Sequence, residues 1–208
     1  MTVTARRTDL TGFWPAWLPP ELRTRLERCY DDPARGYHDL LHLAEVLEHV
    51  DALMPPGDAE RDAVLLGAWF HDAVHDGRGD DEERSAVLAE SLLAGVAPQS
   101  LVAEVARLVR LTARHRPAEE DRPGQVLCDA DLAILAAEEE RYASYTRGVR
   151  REYAHVPDAD FAAGRAAVLR DLLAKPALFG TPEGRRRWER RARANVEREI
   201  DRLSPRPR

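Results

Sequence analysis

Apolar residues recur at helical spacing along almost the whole chain, and no run alternates with the two-residue period of a strand. That pattern confines the chain to an all-α fold, a single bundle of about eight or nine helices. Helices are expected over about 20–31, 37–54, 58–75, 81–96, 99–115, 129–137, 139–155, 158–174 and 182–203. The breaks fall where the chemistry puts them. Pro55-Pro56-Gly57 ends the second helix, Asp76-Gly-Arg-Gly-Asp80 reads as a loop, and Pro98 stops the fourth helix. Pro117, Pro123 and Gly124 mark 116–126 as loop. An irregular arm over 1–19 is expected to be pinned by Trp14, Trp17 and the Pro19-Pro20 pair. The helical domain then covers 20–203, and 204–208 forms a frayed tail.

At 208 residues the chain suits one domain with a full core. Its formal charge of -6 argues against a dedicated nucleic-acid binder, which needs a basic surface. The basic run from Arg185 to Arg193 is most simply a solvated helix with Glu–Arg pairs one turn apart. There is no run of 18 apolar residues to span a membrane and no apolar leader at the N-terminus. Cys29 and Cys128 form no CxxC pair, so reduced thiols in a cytoplasmic protein are expected.

Three short segments carry the chemistry. Trp69-Phe70-His71-Asp72 places a histidine and an aspartate at the end of an otherwise apolar helix. A charge buried there is destabilising unless it is paired or bound to metal. In Tyr37-His38-Asp39-Leu40-Leu41-His42 two histidines are spaced to share one helix face. Asp129-Ala130-Asp131-Leu132 is expected at the start of an apolar helix, where one aspartate caps and the other faces inward. Five of the seven histidines (38, 42, 71, 75 and 115) fall in or beside the expected core.

The order H…HD…D resembles the HD phosphohydrolase superfamily. The segments YHDLLH, WFHDAVHD, EERSA, DADLAIL and REYAHV resemble a bacterial family of metal-dependent HD phosphohydrolases whose substrate is unassigned. The resemblance covers about 20–200. It implies His42, His71, Asp72 and Asp131 as metal ligands; Asp131, followed directly by Leu132, fits the motif better than Asp129. It also implies His38 as the acid that protonates the leaving group. Related phosphodiesterases carry Asn where this chain has Asp39, so the match is partial there.

Two imidazoles and two carboxylates suit one divalent ion (Mn, Fe, Co, Ni, Mg or Zn), which would bind a phosphate and activate water. Glu82 and Glu83 are candidates to orient that water. His75, Asp76, His115, Asp129, Arg151 and Tyr153 are candidates for substrate contact or a second metal, and Arg150 for phosphate contact. The expected partner is a small phosphorylated substrate such as a nucleotide, and a second copy of the chain, met through an apolar helix face, is the other candidate partner. The competing readings are a di-iron oxygenase, which would call on His75 and His115, and a non-catalytic nucleotide-sensing module.

Overall fold

The structure is a computed structural model that describes residues 9–77 and 79–204. Among these residues there are nine α-helices, two 3-10 turns and no strand. The helices are α1 (Pro20–Tyr30), α2 (Leu40–Leu53), α3 (Arg61–Phe70), α4 (Asp81–Leu93), α5 (Gln99–Thr112), α6 (Arg122–Leu132), α7 (Glu139–Glu152), α8 (Asp158–Leu173) and α9 (Pro182–Leu203). None is long and apolar enough to cross a membrane. The start of the expected arm (1–8) and the end of the expected tail (205–208) lie outside the described residues. The described part of the arm is anchored as expected: Trp14 meets Trp69 edge-on at 5.3 Å, and the Trp17 ring nitrogen donates to Asp62 at 2.8 Å.

Two apolar clusters form the interior. One is built from α1 to α6 around Leu26, Leu47, Leu66 and Trp69. The other gathers α7, α8 and α9 around Tyr145, Leu169, Phe179 and Val196, and it includes Tyr37 from the segment before α2. Tyr37 packs 4.6 Å from the His42 ring, so the chemistry-bearing histidines stand where the clusters meet.

Three boundaries differ from the sequence expectation, and each difference repositions a site residue. The second helix starts at Leu40 because Asp39 caps it, accepting from the amides of Leu41 (2.9 Å) and His42 (3.2 Å). His38 therefore lies outside the helix and does not share a face with His42. The third helix ends at Phe70, where carbonyls in its last turn and just beyond it are claimed by side chains. Tyr30 donates to Trp69 O, and Arg35 donates to Asp72 O (2.8 Å) and Ala73 O (3.1 Å). A guanidinium there also complements the negative end of the helix. His75 consequently sits in a turn rather than one helical turn beyond His71. The third case is α6, which begins at Arg122, inside the expected loop. Asp121 caps it by accepting from Gly124 N (3.0 Å), and Pro123 lies in the first turn, where its missing N–H costs no hydrogen bond. Asp129 and Asp131 thus lie near the end of a helix rather than at its start.

Gly36 and Gly148 let the segment before α2 lie directly on α7. A Cβ on Gly148 would come 2.5 Å from Gly36 O and 3.0 Å from the Tyr37 Cβ. Gly164, inside α8, has open space around it. Gly148→Ala is expected to destabilise the fold by about 1–3 kcal/mol, and Gly164→Ala to stabilise it by roughly 0.5–1 kcal/mol. Urea unfolding of the two variants tests this; equal effects would contradict the close approach.

Candidate metal centre

Three elements deliver four side chains to one point. The first turn of α2 supplies His42, the end of α3 supplies His71 and Asp72, and the last turn of α6 supplies Asp131. His42 and His71 are each about 1% exposed. Their Nε2 atoms lie 3.1 Å apart. Asp72 Oδ2 is 3.4 Å from His42 Nε2 and 3.1 Å from His71 Nε2. Asp131 Oδ1 stands 3.3 Å and 3.7 Å from the same two nitrogens.

These distances can be tested against a bound ion. Bonds of about 2.0–2.2 Å put neighbouring donors roughly 3.0–3.5 Å apart. The His42, His71 and Asp72 donors fit this spacing, all lie within 4.8 Å of one another and could hold a metal ion, while Asp131, 3.7 Å from His71 Nε2, stands at the edge of the group. Orientation is also fixed. His71 Nδ1 donates to Ala68 O at 2.8 Å, which leaves the lone pair of the neutral ring on Nε2, facing the cluster. His115 Nε2 lies 2.7 Å from Asp131 Oδ2 and so turns Oδ1 toward the imidazoles. His115 adopts φ 48°, the left-handed region that residues with a Cβ seldom enter. Lys175 holds its carbonyl at 2.7 Å.

Asp131 rather than Asp129 faces the histidines. Two positions apart on a helix, the pair points to different sides. Asp129 is buried among the amides of Gly180 (2.6 Å) and Thr181 (2.8 Å) and the Thr181 hydroxyl (2.7 Å), which join α6 to the cap of α9.

Beside the cluster lies a second group that the sequence did not suggest as a unit. Glu152, at the end of α7, accepts through Oε1 from the amides of Gly36 (2.8 Å), Tyr37 (2.8 Å) and His38 (3.0 Å). Its Oε2 is 2.8 Å from His38 Nδ1 and 3.5 Å from His75 Nε2. His38 and His75 stack with ring centroids 3.9 Å apart. A cavity of about 230 Å³ opens here, lined by Asp32, Arg35, His75, Asp76, Glu152 and Tyr153 among others. A larger cavity of about 400 Å³, between Leu53, Arg122, Thr181 and Arg186, contains none of these donors. The smaller one is lined by His75 and Glu152 of the second group.

The remaining candidates make their contacts outside the cluster, with Asp76 and Tyr153 also lining the smaller cavity. Glu83 pairs with Arg110 at 2.7 Å on the surface, and Glu82 makes no hydrogen bond or ion pair with the cluster. Asp76 pairs with Arg84 at 2.6 Å. Arg151 donates to Arg35 O (3.0 Å), while Arg150 ties Tyr153 O, Val156 O and Asp158 together at the end of α7. Tyr153 packs against Gly77 and near Phe161. Glu152 was missed because an isolated glutamate in a basic helix looks like a solvated residue. Its only sequence signal was its place inside REYAHV.

No protein-family model, curated protein or solved structure matches the chain.

Electrostatics ties the cluster to pH. Burial alone would push the His42 imidazole down, but the Asp131 and Asp72 carboxylates outweigh it and push it up to about 10. His71 is raised too, against burial, by Asp72 and Asp131. Burial would raise both carboxyls, yet the facing imidazoles hold Asp72 and Asp131 well below the usual range. Without an ion, a raised histidine stabilises fully below its unfolded value of about 6.5 and loses that contribution as pH climbs toward its folded value. Depressed carboxyls contribute above about pH 4 and lose it on acidification. The metal-free chain should therefore weaken between about pH 6.5 and 10. A metal ion needs neutral imidazoles, so the stabilisation it adds should grow over the same window. Melting curves with and without Mn²⁺ at about pH 6 and pH 8.5 check this; a stabilisation that shrinks with rising pH would contradict it.

Proposed function

We propose that the chain is a metal-dependent phosphohydrolase for a small phosphate ester or anhydride such as a nucleotide, of the HD type that its motifs resemble. One observation carries the reading. Two buried imidazoles and the Asp72 carboxylate converge with metal-ligand spacing, with Asp131 beside them, next to a His38–Glu152 pair whose glutamate lines a cavity. A divalent ion in that donor set supplies Lewis acidity to a phosphoryl oxygen and makes water nucleophilic at neutral pH.

The chain's own residues do the rest. His42 and His71 form the buried back wall, while Asp72 and Asp131 keep 14% and 16% side-chain exposure and form the open side. Substrate approaches from that side. His38 is the proton donor to the leaving oxygen. Glu152 occupies its Nδ1, so Nε2 is the nitrogen available for transfer. The triple amide grip on Glu152 holds this pair in one orientation. The adjoining cavity has room for a leaving group. His115, one of the two histidines a di-iron alternative would require, is turned toward Asp131 Oδ2 at 2.7 Å. Glu82 and Glu83 take no part.

The test is phosphate release from a nucleotide panel with Mn²⁺, Co²⁺, Ni²⁺ or Mg²⁺ added to the chelator-treated protein. Asp72→Ala is expected to lose both bound metal and phosphate release. His38→Asn should keep the ion and lose roughly 10²–10⁴-fold in rate, the usual contribution of a positioned acid. Release from no substrate by the metal-loaded protein would overturn the hydrolase reading, and an unchanged His38→Asn rate would place the acid elsewhere.

A further inference from the structure

The Glu152 group has the form of a ligand set in its own right. One ligand atom each of His38, His75 and Glu152 lies within 4.8 Å of the others, Glu152 Oε2 being 2.8 Å from His38 Nδ1 and 3.5 Å from His75 Nε2, and none of these residues belongs to the first cluster. We propose that His38, His75 and Glu152 form a second site for a divalent transition-metal ion, bound by two imidazoles and one carboxylate with its other positions open to water from the cavity. The inference goes beyond the hydrolase reading, since it needs only that these three side chains bind an ion.

Three features support a cation rather than a simple hydrogen-bonded trio. The first is the outer layer. The Glu152 oxygen turned away from the histidines is fixed by three backbone amides, and His75 Nδ1 faces Asp81 Oδ2 at 3.6 Å. A carboxylate behind a ligating imidazole is the usual device for aiming the other ring nitrogen at a metal. Asp81 is itself held, accepting from Gly77 N at 2.9 Å and Asp76 N at 3.2 Å. The second is charge. Asp32 and Glu152 line the cavity beside one guanidinium, Arg35, which donates to the carbonyls of His38, Asp72 and Ala73. That balance attracts a cation and repels a second phosphate. The third is access: the His38 and His75 side chains are 21% and 11% exposed, so an ion and its waters can reach them.

Neutral imidazoles bind the ion, so loading releases any second proton from either ring. With the metal on Nδ1, His38 keeps one proton on Nε2 and is no longer the imidazolium that donates to a leaving group, so metal binding here and the acid role are alternative states of His38. With the metal on Nε2, neutral His75 carries its proton on Nδ1, toward Asp81. Imidazole and carboxylate donors suit Zn²⁺, Mn²⁺, Fe²⁺ or Co²⁺.

Titration calorimetry of the chelator-treated full chain with Co²⁺ alone, alongside metal counting by mass spectrometry, tests the proposal. The expected result is two equivalents for the unaltered chain, one for His75→Phe and one for His71→Ala, each variant first shown by circular dichroism to be folded. Glu152→Gln, which keeps an acceptor for the three amides, should also fall to one equivalent if His75→Phe does not fold. One equivalent that His71→Ala abolishes and neither His75→Phe nor Glu152→Gln affects would overturn the second site and leave the first intact. One equivalent that survives His71→Ala and is lost in His75→Phe would do the reverse.

Discussion

Two imidazole nitrogens face each other 3.1 Å apart in the protein interior, flanked by two carboxylates, and much of the surrounding structure depends on how that contact is made stable. His71 spends its only ring N–H of the neutral form on Ala68 O, so it meets His42 with a lone pair. His42 can meet that lone pair with a proton on Nε2, but two buried carboxylates are unstable without a partner, on the order of several kcal/mol each. A positive charge between the four groups offsets that cost. In the metal-free chain a proton on His42 can supply it, which is why that ring is held up to about 10. A divalent ion supplies it more fully and with the geometry already present.

The bundle is arranged around this demand. The Asp39 cap fixes where α2 begins, and so which turn carries His42. Tyr30 and Arg35 stop α3 at Phe70, which frees His71 and Asp72 to turn inward. The Asp121 cap and Pro123 start α6 early enough that Asp131 falls in its last turn. His115, kept in a left-handed conformation with Lys175 on its carbonyl, orients Asp131 from outside. These supports come from loops and caps rather than from the apolar clusters, and they set angles that burial alone leaves loose.

The all-helical class was legible because apolar spacing is a repeated signal that averages over many residues. The grouping of His42, His71 and Asp72 was legible through the H…HD…D order and its resemblance to the HD superfamily, and the structure brings their donors within 4.8 Å of one another. The helix ends were not, and they decided the details. His38 looked like a partner of His42 on one face until Asp39 proved to be the cap. The Asp129–Asp131 choice rested on motif spacing in the sequence, while in the structure it follows from where α6 begins. Glu152 was invisible because its role arises from three amides more than a hundred residues away in the chain. Glu83 was overvalued for a related reason: its partner Arg110 lies on another helix, and a sequence does not show such a pairing.

The most direct measurement is anomalous diffraction from crystals of the full chain grown with Co²⁺ and recorded on both sides of the cobalt edge. A strong peak is expected about 2.0–2.3 Å from His42 Nε2, His71 Nε2, Asp72 Oδ2 and Asp131 Oδ1. No peak there, with the four side chains in place and cobalt in excess, would contradict the metal centre and remove the basis for the hydrolase.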